Sequence, residues 1–90
     1  MSREERIAEI LKALAHPTRV KIVDYLSKGE KCVKDIWQEL EIPQPTVSQH
    51  INILRNAGII SFRREGVKTC YRIENPIAIE ILELLKKEVE

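Results

Sequence analysis

Apolar residues recur at helical spacing through the first forty or so positions and switch after Gly58 to alternation, so the chain reads as helices, a hairpin and a closing helix. Ser2-Arg3-Glu4-Glu5 carries the serine and glutamate of a reciprocal helix cap, and Ile7, Ile10, Leu11 and Leu14 follow on one face. These predict helix 1 over about residues 3–15. His16-Pro17 ends it, because proline disfavours helical geometry in the residue before it and itself suits the first position of the next helix. Helix 2 runs to about Ser27 with Val20, Ile22, Val23 and Leu26 inward, and Gly29 is free to take the left-handed conformation that ends helices. A shorter helix 3 covers about Val33 to Glu41, burying Ile36, Trp37 and Leu40.

The turn Glu41-Ile42-Pro43-Gln44 leads into Pro45, placed where a helix tolerates a missing N–H, so helix 4 is expected over about residues 45–57 and ends at Gly58. At helical spacing Val47, Ile51 and Leu54 fall on one face, while Pro45, Gln49, Asn52 and Asn56 fall opposite, flanked by Thr46 and Ser48. That outer face is uncharged and rich in hydrogen-bonding groups, where an ordinary solvated helix would carry Glu and Lys. Amide side chains can pair bidentately with adenine in the major groove, and hydroxyls serve bases or phosphates. The pattern points to a recognition helix for double-stranded DNA.

The alternating stretch over about residues 59–74 reads as a two-stranded wing. With Glu65-Gly66 as its loop, Arg64 opposes Val67, Phe62 opposes Thr69 and Ile60 opposes Tyr71. One face then holds Ile60, Phe62, Thr69, Tyr71 and Ile73, and the other holds Ser61, Arg63, Lys68, Cys70 and Arg72, which gathers three bases on an exposed side. Such a ribbon can follow phosphates beside a helix docked in the groove. Edge strands also carry charge simply to avoid aggregation, so each base has that plainer reading as well. The final helix, about residues 76–89, is apolar over more than half its circumference: Ile77, Ile81, Leu84 and Leu85 form one stripe, and Leu82, Val89 and Ile79 widen it. Packing on one domain needs a stripe of only about 100°, so the surplus predicts a second surface, and a second copy of the chain is the commonest partner.

Charge sharpens this picture. The net charge of +1 conceals a segment from Gln44 to Arg72 with five bases (Arg55, Arg63, Arg64, Lys68, Arg72) and one acid (Glu65), a local +4 that leaves −3 for the remainder. Phosphate attraction follows local rather than total charge. At 90 residues the chain is one small domain with a modest core and little room for a closed catalytic pocket. No Ser/His/Asp constellation, phosphate-binding glycine loop or paired catalytic carboxylates stand out, so no enzyme and no cofactor are expected. The N-terminus shows neither a signal peptide nor a membrane span, so a cytoplasmic protein is expected. Two cysteines are too few for a secreted disulfide framework and are expected to be reduced.

Four segments, Ala-Leu-Ala-His-Pro-Thr-Arg (13–19), Glu-Lys-Cys-Val-Lys-Asp-Ile (30–36), Pro45 to Gly58 and Arg-Arg-Glu-Gly (63–66), together resemble the ArsR-type metalloregulator family. The resemblance covers nearly the whole chain. It implies a mostly α fold with a small β-hairpin, a winged helix-turn-helix of five helices and a two-stranded wing, forming a homodimer through helices 1 and 5. It implies a repressor that occupies an operator and is released by an inducer. Residues matching the family's DNA readers are Gln44, Thr46, Ser48, Gln49 and His50, with Arg63 and Arg64 in the wing; Asn52, Lys68 and Arg72 join them from the face patterns above.

Many members of that family bind soft metals through a Cys-Val-Cys pair, but here the matching residues are Cys32-Val33-Lys34. The lysine removes a thiolate and opposes a cation, and a second family site on helix 5 needs a histidine that residues 76–90 lack. No regulatory metal site is expected, and the inducer is not legible. Cys32, beside Lys31 and Lys34, is a candidate redox thiol with Cys70, against the plainer reading of a small buried hydrophobe. Whether the two pair is open. His50 is read as half packed and DNA-facing, and His16 as a junction residue. The competing functional class is a winged helix used for general, chromatin-type DNA binding or for protein assembly, because a fold does not fix function.

Overall fold

A computed structural model describes all 90 residues, Met1–Glu90. The element order is α1 (Arg3–Leu14), α2 (Pro17–Leu26), β1 (Lys31–Cys32), α3 (Val33–Leu40), α4 (Gln44–Asn56), β2 (Ile60–Glu65), β3 (Lys68–Ile73) and α5 (Ile77–Val89). Local chemistry sets these boundaries. Ser2 and Glu5 form the reciprocal cap of α1, each side chain bonding the other's backbone N–H at 3.1 Å. His16 caps α2 by accepting the Thr18 N–H on Nδ1 at 3.0 Å, and Pro17 opens the helix behind it. Glu41 takes the left-handed conformation (φ 55°) that closes α3, turning the chain sharply into α4.

The core is built around α2, whose Ile22, Val23 and Leu26 are buried against Ile36 of α3, Val47, Ile51 and Leu54 of α4, and Ala78 and Leu82 of α5. Each large aliphatic side chain removed from water in this way contributes about 1.5–3 kcal/mol. Every inward position expected on α4 is therefore in the core, and α4 is fixed from behind along its length.

The wing differs from expectation in two respects. A third strand is present: the sheet order is β1-β3-β2, with Lys31 opposite Tyr71 and Cys32 opposite Cys70. A two-residue strand has no periodicity to read. The hairpin register also differs. Ile60 pairs with Ile73, Phe62 with Tyr71 and Arg64 with Thr69, so the loop is Gly66-Val67 rather than Glu65-Gly66. The reason is Gly66, whose φ of +62° suits the first loop position of a two-residue turn that demands positive φ there. Since the offset preserves parity, each residue keeps the face expected of it.

The closing helix presents two surfaces. Ala78 and Leu82 point into the core, whereas Leu84 (66% exposed), Leu85 and Val89 (81% exposed) are bare. On α1, Ala13 and Leu14 are buried but Ile7 and Leu11 are half exposed. Ile7, Ile10, Leu11, Ile77 and Ile81 line one wholly apolar groove between α1 and α5. No helix is long and apolar enough to cross a membrane.

Candidate nucleic-acid interface

Two elements carry the predicted contact residues, and they are supported differently. On α4, Gln44, Pro45, Gln49, Asn52 and Asn56 are exposed, and Thr46 and Ser48 are half-buried at the flank. Gln44 is the first helical residue and Pro45 the second, one position later than the sequence suggests. The first turn has no side-chain cap, so the Gln44 and Thr46 N–H groups are free to meet a phosphate oxygen at the positive end of the helix. Two arginines brace the helix from α1 and α2. Arg6 donates to the Ala57 carbonyl at 2.8 Å and so satisfies the C-terminal end. Arg19 donates to the Ala13 carbonyl at 2.7 Å, the Lys12 carbonyl at 3.2 Å and His50 Nδ1 at 3.0 Å.

His50 is therefore turned inward. A guanidinium has only donors, so His50 Nδ1 is the acceptor and is unprotonated. Its ring centroid lies 4.3 Å from that of His16. Burial, followed by the nearby His16 and Arg19, holds its pKa below the usual histidine value. The structure thus gives His50 a place in the α1–α2–α4 junction, beside the His16 cap.

On the wing, four bases were expected to be available, and they divide. Arg63 donates Nε and Nη2 to the Glu30 carboxylate at 3.0 and 2.7 Å and approaches Glu65 at 3.0 Å. These bonds raise the Arg63 pKa and lower that of Glu30, the Arg63–Glu30 hydrogen bond being the largest cause for each. Arg72 lies 3.8 Å from Glu74. Arg64 and Lys68 have no ion-pair partner and are exposed. The expected exposed face with Arg63, Lys68 and Arg72 is thus partly neutralised by Glu30, Glu65 and Glu74, and its Cys70 is buried. On the other face Phe62 packs under the Arg55 guanidinium of α4, 4.2 Å from its ring centroid, which props the ribbon against the helix.

Cys32 and Cys70, expected to be reduced, form a disulfide. The correction has a topological reason: the third strand sets the two residues directly opposite each other, which no sequence spacing reveals. Glu30, Arg6 and Arg19 are the other residues that sequence reading missed. Glu30 and Cys32 belong to one segment, but only the sheet shows that this segment abuts the wing.

A polar-faced helix preceded by a tight turn from α3, with a ribbon propped beside it, defines a winged helix-turn-helix. Residues 16–61 match the family described as "Bacterial regulatory protein, arsR family". An uncharacterized HTH-type transcriptional regulator of Methanocaldococcus jannaschii is 44% identical over 86 residues, 94% of this chain and 97% of that protein. The crystal structure of the transcriptional repressor PagR of Bacillus anthracis superposes with a TM-score of 0.82 at 41% identity, over 91% of this chain and 94% of that one. The homodimeric winged helix-turn-helix DNA-binding domain of a possible ArsR-family regulator from Mycobacterium bovis gives a TM-score of 0.85 at 29% identity, over 96% of this chain and 80% of that one. The chain belongs to the arsR family of bacterial transcription regulators.

The soft-metal site that comes with the family resemblance does not suit the residues present. The Cys32 sulfur is bonded to Cys70, and Lys34 stands where the second thiolate would be.

Proposed function

We propose that this regulator is a dimeric, cytoplasmic repressor that reads a two-fold symmetric operator, catalyses no reaction and responds to no tightly bound metal. The exposed amide and hydroxyl face of α4, held rigidly by Val47, Ile51 and Leu54, carries this reading. Gln44, Gln49 and Asn52, with Thr46 and Ser48 at the flank, contact base edges and adjoining backbone, and Arg64 and Lys68 hold phosphates. Arg63 and Arg72 stand behind them in paired form, and His50 positions the helix.

The bare apolar surfaces of α1 and α5 support the dimer, as does the homodimeric state of the Mycobacterium bovis domain. Joining two copies there sets two recognition helices about one DNA turn, roughly 34 Å, apart. Selecting bound duplexes from a random pool tests the proposal. A palindromic consensus with half-sites one turn apart is expected, and its preference over random DNA should persist as salt rises. A preference that vanishes with salt would mean general DNA binding, and no recovered duplex would mean a protein-assembly module.

A further inference from the structure

Cys32, Cys70 and Arg63 occupy one row of the sheet: Cys32 is opposite Cys70 on β3, and Cys70 is opposite Arg63 on β2. Directly opposed residues project to the same face. To reach Glu30, which precedes β1, Arg63 must cross β3 on the face that carries the disulfide. The crosslink also encloses α3, α4 and β2 within a single covalent loop, since the cysteines are 38 residues apart. With only two residues, β1 has few other bonds to hold it against β3.

The two cysteines are unequally exposed. Cys70 is 2% exposed. Cys32 is partly exposed and lines an open cleft of about 540 Å³ together with Lys34, Gln44, Lys68 and the single acid Asp35. Cys32 is also the N-cap of α3 and its side chain makes no capping bond, so a thiolate released there meets the positive end of a helix.

We propose that Cys32–Cys70 is a thiol–disulfide exchange site, entered at Cys32, whose state decides whether Arg63 stays latched to Glu30 or is released to DNA. The proposal rests on the DNA-binding reading above. The incoming reactant is a small thiolate such as that of glutathione. It attacks Cys32 Sγ, forming a mixed disulfide and breaking the Cys32–Cys70 bond; the electron pair leaves on Cys70 Sγ, which takes a proton. A second thiolate attacks the outer sulfur of the mixed disulfide, releasing the low-molecular-weight disulfide as oxidised product and Cys32 as the reduced thiolate. Without the crosslink, β1 and Glu30 can part from the wing. Arg63 then adds one phosphate contact per protomer.

The test compares oxidised and dithiothreitol-reduced protein, each verified by thiol counting, binding a mixed-sequence duplex across a salt series. The reduced form should bind several-fold more tightly with a log–log salt slope steeper by about 0.9 per protomer. Arg63→Gln should erase that difference. Peptide mapping after brief glutathione treatment should find the adduct on Cys32. Equal slopes in the two forms, a steeper slope for the oxidised form, or an adduct on Cys70 would overturn the exchange site while leaving DNA binding standing. Failure of both forms to bind any duplex would instead remove the DNA-binding reading, and the switch with it.

Discussion

The helix and the wing proposed to meet the same DNA are held in opposite ways. Helix α4 has three residues in the core, an arginine on its C-terminal carbonyl and a histidine clamped against α2, while its outer face has neither charge nor intramolecular partners. In the wing, most side chains of β2 are exposed, one base is locked to Glu30, another faces Glu74, and a disulfide ties the middle strand to β1. Base readout needs donors and acceptors held in fixed positions, so rigidity suits the helix. Phosphate attraction is less directional and scales with available charge, so the wing can be adjusted without altering which sequence is read.

The deepest difference between the helix and the wing lies in burial. Leu54→Ala, at a fully buried position, should destabilise the protein by about 2–5 kcal/mol in denaturant melts, whereas Phe62→Ala, at an exposed wing position, should cost well under that. Comparable losses would mean that the wing is as integral to the core as the helix. Next, Leu84→Glu on the bare face of α5 should shift the protein from dimer to monomer in sedimentation and weaken palindrome binding while leaving single half-site binding intact. A persistent dimer would place the interface elsewhere.

A smaller change sharpens the contrast from the wing side. Glu30→Gln removes the acid that holds Arg63, so binding to all duplexes should strengthen alike and the salt slope should rise by about one per protomer. A change in sequence preference would contradict the division of labour. The smallest effect concerns the junction behind the helix. His50 has a folded pKa below its reference of 6.5. As pH falls through that value the unfolded chain binds protons first, so stability is complete above it and declines below. In His50→Asn this part of the slope should be absent when urea unfolding is followed on both sides of that pH.

Helical spacing, proline positions and the uncharged face make α4 legible in the sequence, because these are local properties of a single segment. The wing was legible in part. Its alternation fixed which residues share a face, but the loop register depended on Gly66 occupying one particular turn position, and β1 was too short to announce itself. The availability of the wing's bases could not be read at all. Arg63 and Glu30 are separated by 33 residues and meet only across β3, and Cys32 finds Cys70 in the same way. The surplus apolar arc of α5, by contrast, was visible because a helix shows its whole circumference in its sequence.

Binding of Gln49→Ala and Arg64→Ala to the selected palindrome and to random duplex across a salt series tests most directly whether the helix reads bases while the wing holds phosphates. Gln49→Ala should lose about 1–3 kcal/mol on the palindrome alone with an unchanged salt slope, and Arg64→Ala should weaken both duplexes equally with a slope lower by about one. If Gln49→Ala weakened both duplexes alike, or Arg64→Ala altered the preferred sequence, the roles assigned to helix and wing would be wrong.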